Sequence, residues 1–333
     1  MNIAINGFGR IGRSVFRILN SKENVNLVAI NDIFDKEALT YLLKYDTVMG
    51  RFPEKVKLEG DLLKTESQSV KLIAERDPAA LIWGELGVDI VIESTGIFRQ
   101  KSQLENHLKA GAKRVVLTVP AKDEIDYTVV LGVNDDGLKP EHKIVSNASC
   151  TTNCLAPMAK VLNDEFGIEL GVINTIHAYT NDQRLADVPH SDWRRSRAAA
   201  ENVIPTTTGA ARAVGKVLPE LNGKLDGIAM RVPVPDGSVV DLNVRLKNDV
   251  TVDQINDAVY NAAESGPLRH VLQFSTMPVV STDIIGNPHS SIFDAPFTRV
   301  VEGNFVKTLN WYDNEWGYSN RVADLLGKLH SLG

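Results

Sequence analysis

Asn2-Ile3-Ala4-Ile5-Asn6-Gly7-Phe8-Gly9-Arg10-Ile11-Gly12 decides how the first half of this chain is read. Asn2 to Asn6 is a short apolar run of strand type. Gly7, Gly9 and Gly12 fit the G-x-G-x-x-G spacing. Ile11 to Leu19 then places Ile11, Val15, Ile18 and Leu19 on one helical face. A second apolar run, Val25 to Asn31, ends in Asp32, which lies 20 positions after Gly12. Glycines in this pattern allow a tight turn and a close approach of backbone to a pyrophosphate. The helix start offers free N–H groups and partial positive charge, and an acidic residue at the end of the second strand accepts from ribose hydroxyls. The stretch therefore predicts a dinucleotide site. The residues after Asp32 are Ile33-Phe34-Asp35, with no basic side chain for a 2′-phosphate, so NAD is favoured over NADP.

Further along, Val88 to Glu93, Arg114 to Val119 and Thr128 to Val133 are nearly continuous in branched apolar residues, as strands covered on both faces are. Strand–helix alternation of this kind predicts an α/β domain with a Rossmann-type doubly wound parallel sheet. The second half has another rhythm. Ala156 to Phe166 predicts a helix, and Val172 to His177, Ile228 to Val232 and Val239 to Leu246 predict strands. Val239 to Leu246 alternates at period two, which suits an antiparallel strand with one wet face. The expectation is an α+β catalytic domain with a mostly antiparallel sheet. The expected division is residues 1–149 for the dinucleotide, 150–313 for the substrate, and 314–333 as a C-terminal helix returning to the first domain.

The 36 basic and 42 acidic residues leave a net charge of −6, which argues against nucleic acid or an anionic membrane as the main partner. It leaves an anionic substrate open, because a few placed arginines outweigh global charge locally. No apolar run approaches the roughly 18 residues of a membrane span. The first residues enter a strand without a basic region and apolar stretch, so no signal peptide is expected. With two cysteines, Cys150 and Cys154, a disulfide scaffold is not expected and a reducing cytoplasm is.

Ser146-Asn147-Ala148-Ser149-Cys150-Thr151-Thr152-Asn153-Cys154 lies where an apolar strand gives way to a helix. Ser149 suits an N-cap, which puts Cys150 in the first turn, where the helix dipole favours a thiolate. Such a thiolate is the nucleophile that covalent attack on an aldehyde needs. Cys154, one turn further in beside Leu155 and Ala156, reads as a buried small side chain. With no third cysteine and no nearby paired histidines, no metal site is expected. His177 ends the run Gly171 to Ile176 and opens the polar loop Ala178-Tyr179-Thr180-Asn181-Asp182-Gln183. It is the candidate base, provided the topology returns it to Cys150.

These stretches, together with Leu43-Lys44-Tyr45-Asp46, Glu93-Ser94-Thr95-Gly96, Pro205-Thr206-Thr207-Thr208-Gly209-Ala210-Ala211, Met230-Arg231-Val232-Pro233 and Trp311-Tyr312-Asp313-Asn314-Glu315-Trp316-Gly317-Tyr318, resemble the phosphorylating glyceraldehyde-3-phosphate dehydrogenases over essentially the whole chain. The Ser149-to-Cys154 run is highly specific, and the glycine fingerprint is not. The resemblance implies Cys150 as nucleophile and His177 as its activator. It implies Ser149, Thr151, Thr208 and Gly209 for inorganic phosphate, and Thr180, Asp182, Arg195 and Arg231 chiefly for the substrate's own phosphate. Arg10, Ile11, Asp32, Arg76, Thr118 and Asn314 join the glycines as implied NAD contacts, with Asn314 at the nicotinamide carboxamide. It also implies a homotetramer. The implied chemistry is thiolate addition to the aldehyde, hydride transfer to NAD, and phosphate attack on the resulting thioester. Two departures from the family's usual pattern are visible, Thr47-Val48-Met49-Gly50 after Tyr-Asp, and Val188-Pro189 where Leu-Pro is frequent. The second touches the strictness of NAD selection. Two other readings stay open from sequence: a sister erythrose-4-phosphate dehydrogenase, and a catalytically silent NAD-binding scaffold.

Overall fold

A computed structural model describes residues 1–333, which form two compact units. The first comprises Met1–Val129, Asp136–Ala148 and Ser319–Gly333; the second comprises Val130–Asp135 and Ser149–Tyr318.

The first unit is built on a nine-stranded sheet. Its central strands run in the order Ser69–Ile73, Asn26–Asn31, Asn2–Asn6, Ile90–Glu93, Arg114–Leu117 and Ile144–Ser146, all parallel. Ile3, Ala4, Ile5, Val91, Ile92, Val115 and Val116 have no exposed surface, which is why these strands read as unbroken apolar runs. An antiparallel hairpin, Lys57–Glu59 with Leu62–Lys64, extends one edge and has too few apolar residues to announce itself in sequence. Arg114 explains why the chain's last residues belong here. Its guanidinium donates to the carbonyls of Leu329 at 3.1 Å and Gly333 at 2.8 Å, at the C-terminal end of the helix Trp316–Ser331, where carbonyls lack intrahelical donors.

One expected strand is mostly absent. Only Tyr127–Thr128 forms strand, and residues 131–134 form a turn. The apolar run Val129-Val130-Leu131 is buried as anticipated, and Val129 N–H still donates to Ser146 O, but Asn134 Oδ1 takes the amide of Val130 and Asp135 Oδ1 that of Gly132 just beyond the run. Side-chain acceptors three and four residues on have replaced ladder partners there. This segment groups with the second unit, so the partition is not a single cut at residue 149.

The second unit carries an eight-stranded sheet whose main path is Ile204–Thr207, Leu225–Val232, Ile168–Ala178, Ser238–Leu246, Phe305–Tyr312, Ser291–Asp294 and Leu272–Ser275. Pairing is mostly antiparallel, the exceptions being Ile168–Ala178 with Leu225–Val232 and Leu272–Ser275 with Ser291–Asp294. In Ser238–Leu246 the apolar residues are buried while Asp241, Asn243 and Arg245 keep exposure, as the alternation required. The helix Cys150–Phe166 packs on this sheet and on helices Ala210–Val217 and Val252–Glu264. Being covered on several sides, it is buried at Thr151 to Ala159. That explains why its first six residues, small and polar, did not show an amphipathic pattern.

Candidate functional site

The glycine turn of the first unit is a backbone construction. Gly7 has φ 93°, and a Cβ there stands 2.6 Å from Thr95 N; at Gly12 a Cβ stands 2.2 Å from the carbonyl oxygen of Gly7. Both positions are closed to any side chain. Gly9 differs, since nothing lies within 4 Å of its missing Cβ. It caps helix Arg10–Leu19 without any side-chain acceptor, and no acidic residue sits in the first turn. An open, uncapped helix start behind an unobstructed glycine fits a pyrophosphate. Asp32 fits the ribose end. Its Oδ2 accepts from Phe8 N–H at 2.7 Å and its Oδ1 from Phe34 N–H at 3.1 Å, which fixes the carboxylate and leaves lone pairs on both oxygens. Other expected contacts are committed differently. The Arg10 guanidinium forms a two-bond pair with Asp46, at 2.7 and 3.1 Å. Thr118 is buried and its hydroxyl donates to Glu93 O, and Arg76 is exposed.

The second unit brings together side chains that are far apart in sequence. Ser149 caps the nucleophile helix, its Oγ accepting from Thr152 N–H at 3.1 Å. The preceding Ala148 adopts φ 52°, a region that residues with a Cβ seldom occupy, and this sharp corner delivers Cys150 at the end of the strand-to-helix turn. Cys150 Sγ lies 3.5 Å from His177 Nε2. Strand Ile168–Ala178 runs beside the helix, and that topology achieves the return on which His177 depended. Parallel register sets His177 opposite Arg231, so the guanidinium joins the pair: Arg231 Nη1 stands 2.6 Å from His177 Nδ1 and donates to Ala178 O at 3.0 Å. His177 Nδ1 also lies 2.6 Å from Ala178 O. Nδ1 serves one of these neighbours at a time. When it donates to Ala178 O, Nε2 presents its lone pair to Cys150 and is a base. When it accepts from Arg231, Nε2 carries the proton instead.

Burial drives both members of the pair toward their neutral forms. It pushes the Cys150 thiol up, a rise that the Arg231 charge opposes, and it pushes His177 down to about 3, with Arg231 adding to the fall. The helix start alone therefore does not set the thiolate, contrary to the simplest expectation for a first-turn cysteine. Moving one proton across the 3.5 Å gap creates an ion pair whose mutual attraction offsets part of the burial cost. Tyr312 walls this cluster. Its ring meets His177 edge-on at 5.9 Å, and its hydroxyl bonds Thr151 at 2.9 Å and Thr175 at 2.8 Å. Thr151 shares its hydroxyl with Tyr312 and keeps capacity for a further hydrogen bond. Sequence assigned no role to Tyr312, Thr175 or Ser238, and only cross-strand register could have singled them out.

Asn314 is 5% exposed, and its Oδ1 accepts from Ser238 Oγ at 2.6 Å, while Ser238 Oγ itself accepts from Ala178 N–H. The amide of Asn314 is thereby turned so that its NH2 is the end left to donate. Arg195, Asp182 and Thr180 form a second polar group. Arg195 donates to Asp182 Oδ2 at 2.5 Å and to Thr206 Oγ1 at 3.0 Å, and the Thr180 hydroxyl bonds Asp182. Burial raises the Asp182 carboxyl, and Thr180 and Arg195 more than offset it, so it lies below the usual carboxylate range. Thr208 and Gly209 begin helix Ala210–Val217, with Thr208 Oγ1 accepting from Ala210 N–H and Gly209 exposed. Cys154 is fully buried against Ser291 and Asn310, and burial raises its thiol far above the usual range, consistent with an inert packing role. No group of His, Cys, Asp and Glu is arranged to hold a metal.

Family comparison decides between chemistries that share such a cysteine–histidine pair. The profile of the glyceraldehyde 3-phosphate dehydrogenase NAD binding domain matches residues 1–101, and that of the C-terminal domain matches residues 149–314. The chain belongs to the glyceraldehyde-3-phosphate dehydrogenase family. It is 55% identical over 327 residues to the glyceraldehyde-3-phosphate dehydrogenase of Streptomyces coelicolor, covering 98% of this chain and 97% of that one. Identity to the Borreliella burgdorferi enzyme of that name is 56% over 335 residues, 99% of each chain. The Priestia megaterium protein of that name is 55% identical over 334 residues, covering 100% of this chain and 99% of its own. The α/β architecture, parallel in the first sheet and mostly antiparallel in the second, is the one this family's two domains carry.

Proposed function

We propose that this protein oxidises and phosphorylates D-glyceraldehyde 3-phosphate to 1,3-bisphosphoglycerate with NAD, the step shared by glycolysis and gluconeogenesis. The observation that carries the reading is Cys150 Sγ at 3.5 Å from His177 Nε2, with the Arg231 guanidinium against the same imidazole. A nucleophile, its base and a cation for the substrate's anion converge on one spot.

In this reading His177, with Nδ1 donating to Ala178 O, takes the Cys150 proton, and the thiolate adds to the aldehyde carbon. Substrate phosphate held by Arg231, with Thr180, Asp182 and Arg195 around it, draws the guanidinium away from Nδ1 and leaves the imidazole in its basic form. The Cys150 backbone N–H, in the first turn and without an intrahelical acceptor, stabilises the developing oxyanion. A bound NAD would supply the hydride acceptor for the former aldehyde carbon. Asn314 orients the nicotinamide carboxamide through its free NH2, and the turn Gly7 to Gly12 with Asp32 holds the pyrophosphate and ribose, Arg10, Ile11, Arg76 and Thr118 completing the surround. The acyl group stays on Cys150 as a thioester. Inorganic phosphate held by Ser149, Thr151, Thr208 and Gly209 attacks its carbonyl and releases the thiolate.

We further infer a cytoplasmic homotetramer, as the family resemblance and the reduced cysteines suggest; no helix is long and apolar enough to cross a membrane. The test is a steady-state assay of NADH formation from glyceraldehyde 3-phosphate and from erythrose 4-phosphate, with and without phosphate, and with NAD and NADP in parallel. Phosphate-dependent turnover with the three-carbon substrate and NAD is expected. Preference for the four-carbon aldehyde moves the protein to the sister activity, and no turnover with either leaves a scaffold.

A further inference from the structure

Glu93 is fully buried at the C-terminal end of the central strand Ile90–Glu93, and four donors converge on its carboxylate. Oε2 accepts from Asn6 Nδ2 at 2.6 Å and faces His107 Nε2 at 3.0 Å; Oε1 accepts from Thr95 N–H at 2.8 Å and from the Thr95 hydroxyl. Trp83 Nε1–H, which can only donate, lies 3.0 Å from His107 Nδ1. That contact fixes the tautomer: Nδ1 accepts, so Nε2 carries the proton toward Glu93.

Each anchored group leads to the glycine turn. Asn6 immediately precedes Gly7, and its Oδ1 accepts from Asn31, the residue before Asp32. The Thr95 peptide is the surface on which Gly7 packs, and Ser94 Oγ donates to Gly7 O at 2.6 Å. Three strand ends, carrying the turn, the ribose carboxylate and the Ser94–Thr95 corner, are thus tied to one buried anion. We propose that Glu93 is a positioning residue for the dinucleotide: it sets the geometry of the Gly7 turn and of Asp32 through Asn6 and Thr95 without touching the ligand. This rests on the reading that the first unit takes NAD. Glutamine cannot replace it, because an amide turns an NH2 toward donors whichever way it is placed.

The experiment compares the parent with Glu93→Gln, Thr95→Val and Trp83→Phe as full-length proteins. It measures the NAD dissociation constant by calorimetry, the melting temperature, and kcat at saturating NAD. Glu93→Gln is expected to weaken NAD by roughly tenfold, and Thr95→Val by about threefold, with kcat at saturating NAD held within about threefold. Trp83→Phe, at the far end of the chain of bonds, is expected to lower the melting temperature while leaving NAD affinity within about twofold. Should Glu93→Gln fail to fold, Thr95→Val carries the same test. Unchanged NAD affinity in the carboxylate and threonine variants overturns the proposal. So does a loss of affinity that simply follows the loss in melting temperature across all three. A parent that binds no NAD removes the cofactor reading, and the role of Glu93 with it.

Discussion

The glycine turn and the Cys150 cluster solve opposite problems. At the turn the working groups are backbone amides and one carboxylate, and the constraint on the glycines is steric: Gly7 and Gly12 exist because atoms stand 2.6 and 2.2 Å from where a Cβ would be. Its residues lie within about one strand–helix–strand unit of sequence. At Cys150 the working groups are side chains from a helix start and two strands, separated by 27 and 54 positions, and the constraints are electrostatic. Burial there moves both the thiol and the imidazole off their ordinary values, and the Arg231 charge opposes the rise of the thiol while adding to the fall of the imidazole. A site made of backbone is closed to added atoms at its glycines and answers to charge only at the carboxylates that flank it, Asp32 directly and Glu93 through Asn6 and Thr95, while a site made of buried side chains answers to charge at every member.

The largest test of this contrast is Cys150→Ser. An alkoxide is far harder to form than a thiolate near neutral pH, so oxidation should fall by more than about a thousandfold. NAD affinity should stay within about twofold, because the turn does not depend on Cys150. Substantial NADH production by the pure variant sinks the nucleophile assignment. Next in size is Asp32→Ala, which removes the carboxylate at the ribose end of the turn. The ratio of specificity constants for NAD over NADP should drop, very roughly a hundredfold, by loss of ribose hydrogen bonds and of repulsion toward a 2′-phosphate. Activity with NADP should remain poor in absolute terms, since no basic residue directly follows Asp32. A parent ratio near one, or an unmoved ratio, shows that Asp32 does not read the ribose.

Arg231→Leu comes third. Losing a charge-assisted hydrogen bond of about 1.5–3 kcal/mol should raise KM for the phosphorylated aldehyde by tens of fold while plain glyceraldehyde is little affected. The same variant should react with iodoacetamide only at higher pH, because the charge that holds the Cys150 thiol down is gone. Equal losses on both aldehydes, with an unshifted alkylation profile, make Arg231 structural.

The smallest effect concerns a buried acid pair in the second unit, Asp236 and Asp313, each 1% exposed. Asp313 accepts from the amides of Gly286, Glu315 and Trp316. Burial first, then the Asp313 charge, pushes Asp236 up to about 9. The folded protein therefore holds a proton that the unfolded chain releases near pH 4, and stability drains away as pH rises between those values. Asp236→Asn should leave the melting temperature near parental at pH 4 to 5 and raise it by roughly 2–4 °C at pH 8 to 9. Identical pH dependence in the two proteins removes Asp236 from the account.

The sequence by itself determined the parts whose causes are local. Gly7, Gly9, Gly12 and Asp32 were legible because a strand, a turn and a helix in fixed order already imply the turn they make. Ser149 was legible as a cap, and the alternation at Val239 to Leu246 announced its antiparallel strand. Tertiary structure alone decided the rest. The pairing of Ile168–Ala178 with Leu225–Val232 put Arg231 on His177 Nδ1, and Tyr312 arrived from a strand 162 positions beyond Cys150. The strand expected through Val133 stopped at Thr128 because Asn134 took the amide of Val130 and Asp135 that of Gly132. Registers of this kind depend on long-range burial, which no local pattern encodes. The protonation state of Cys150 and His177 follows from how much water that burial removes, so it too belongs to the folded molecule and not to the string of residues.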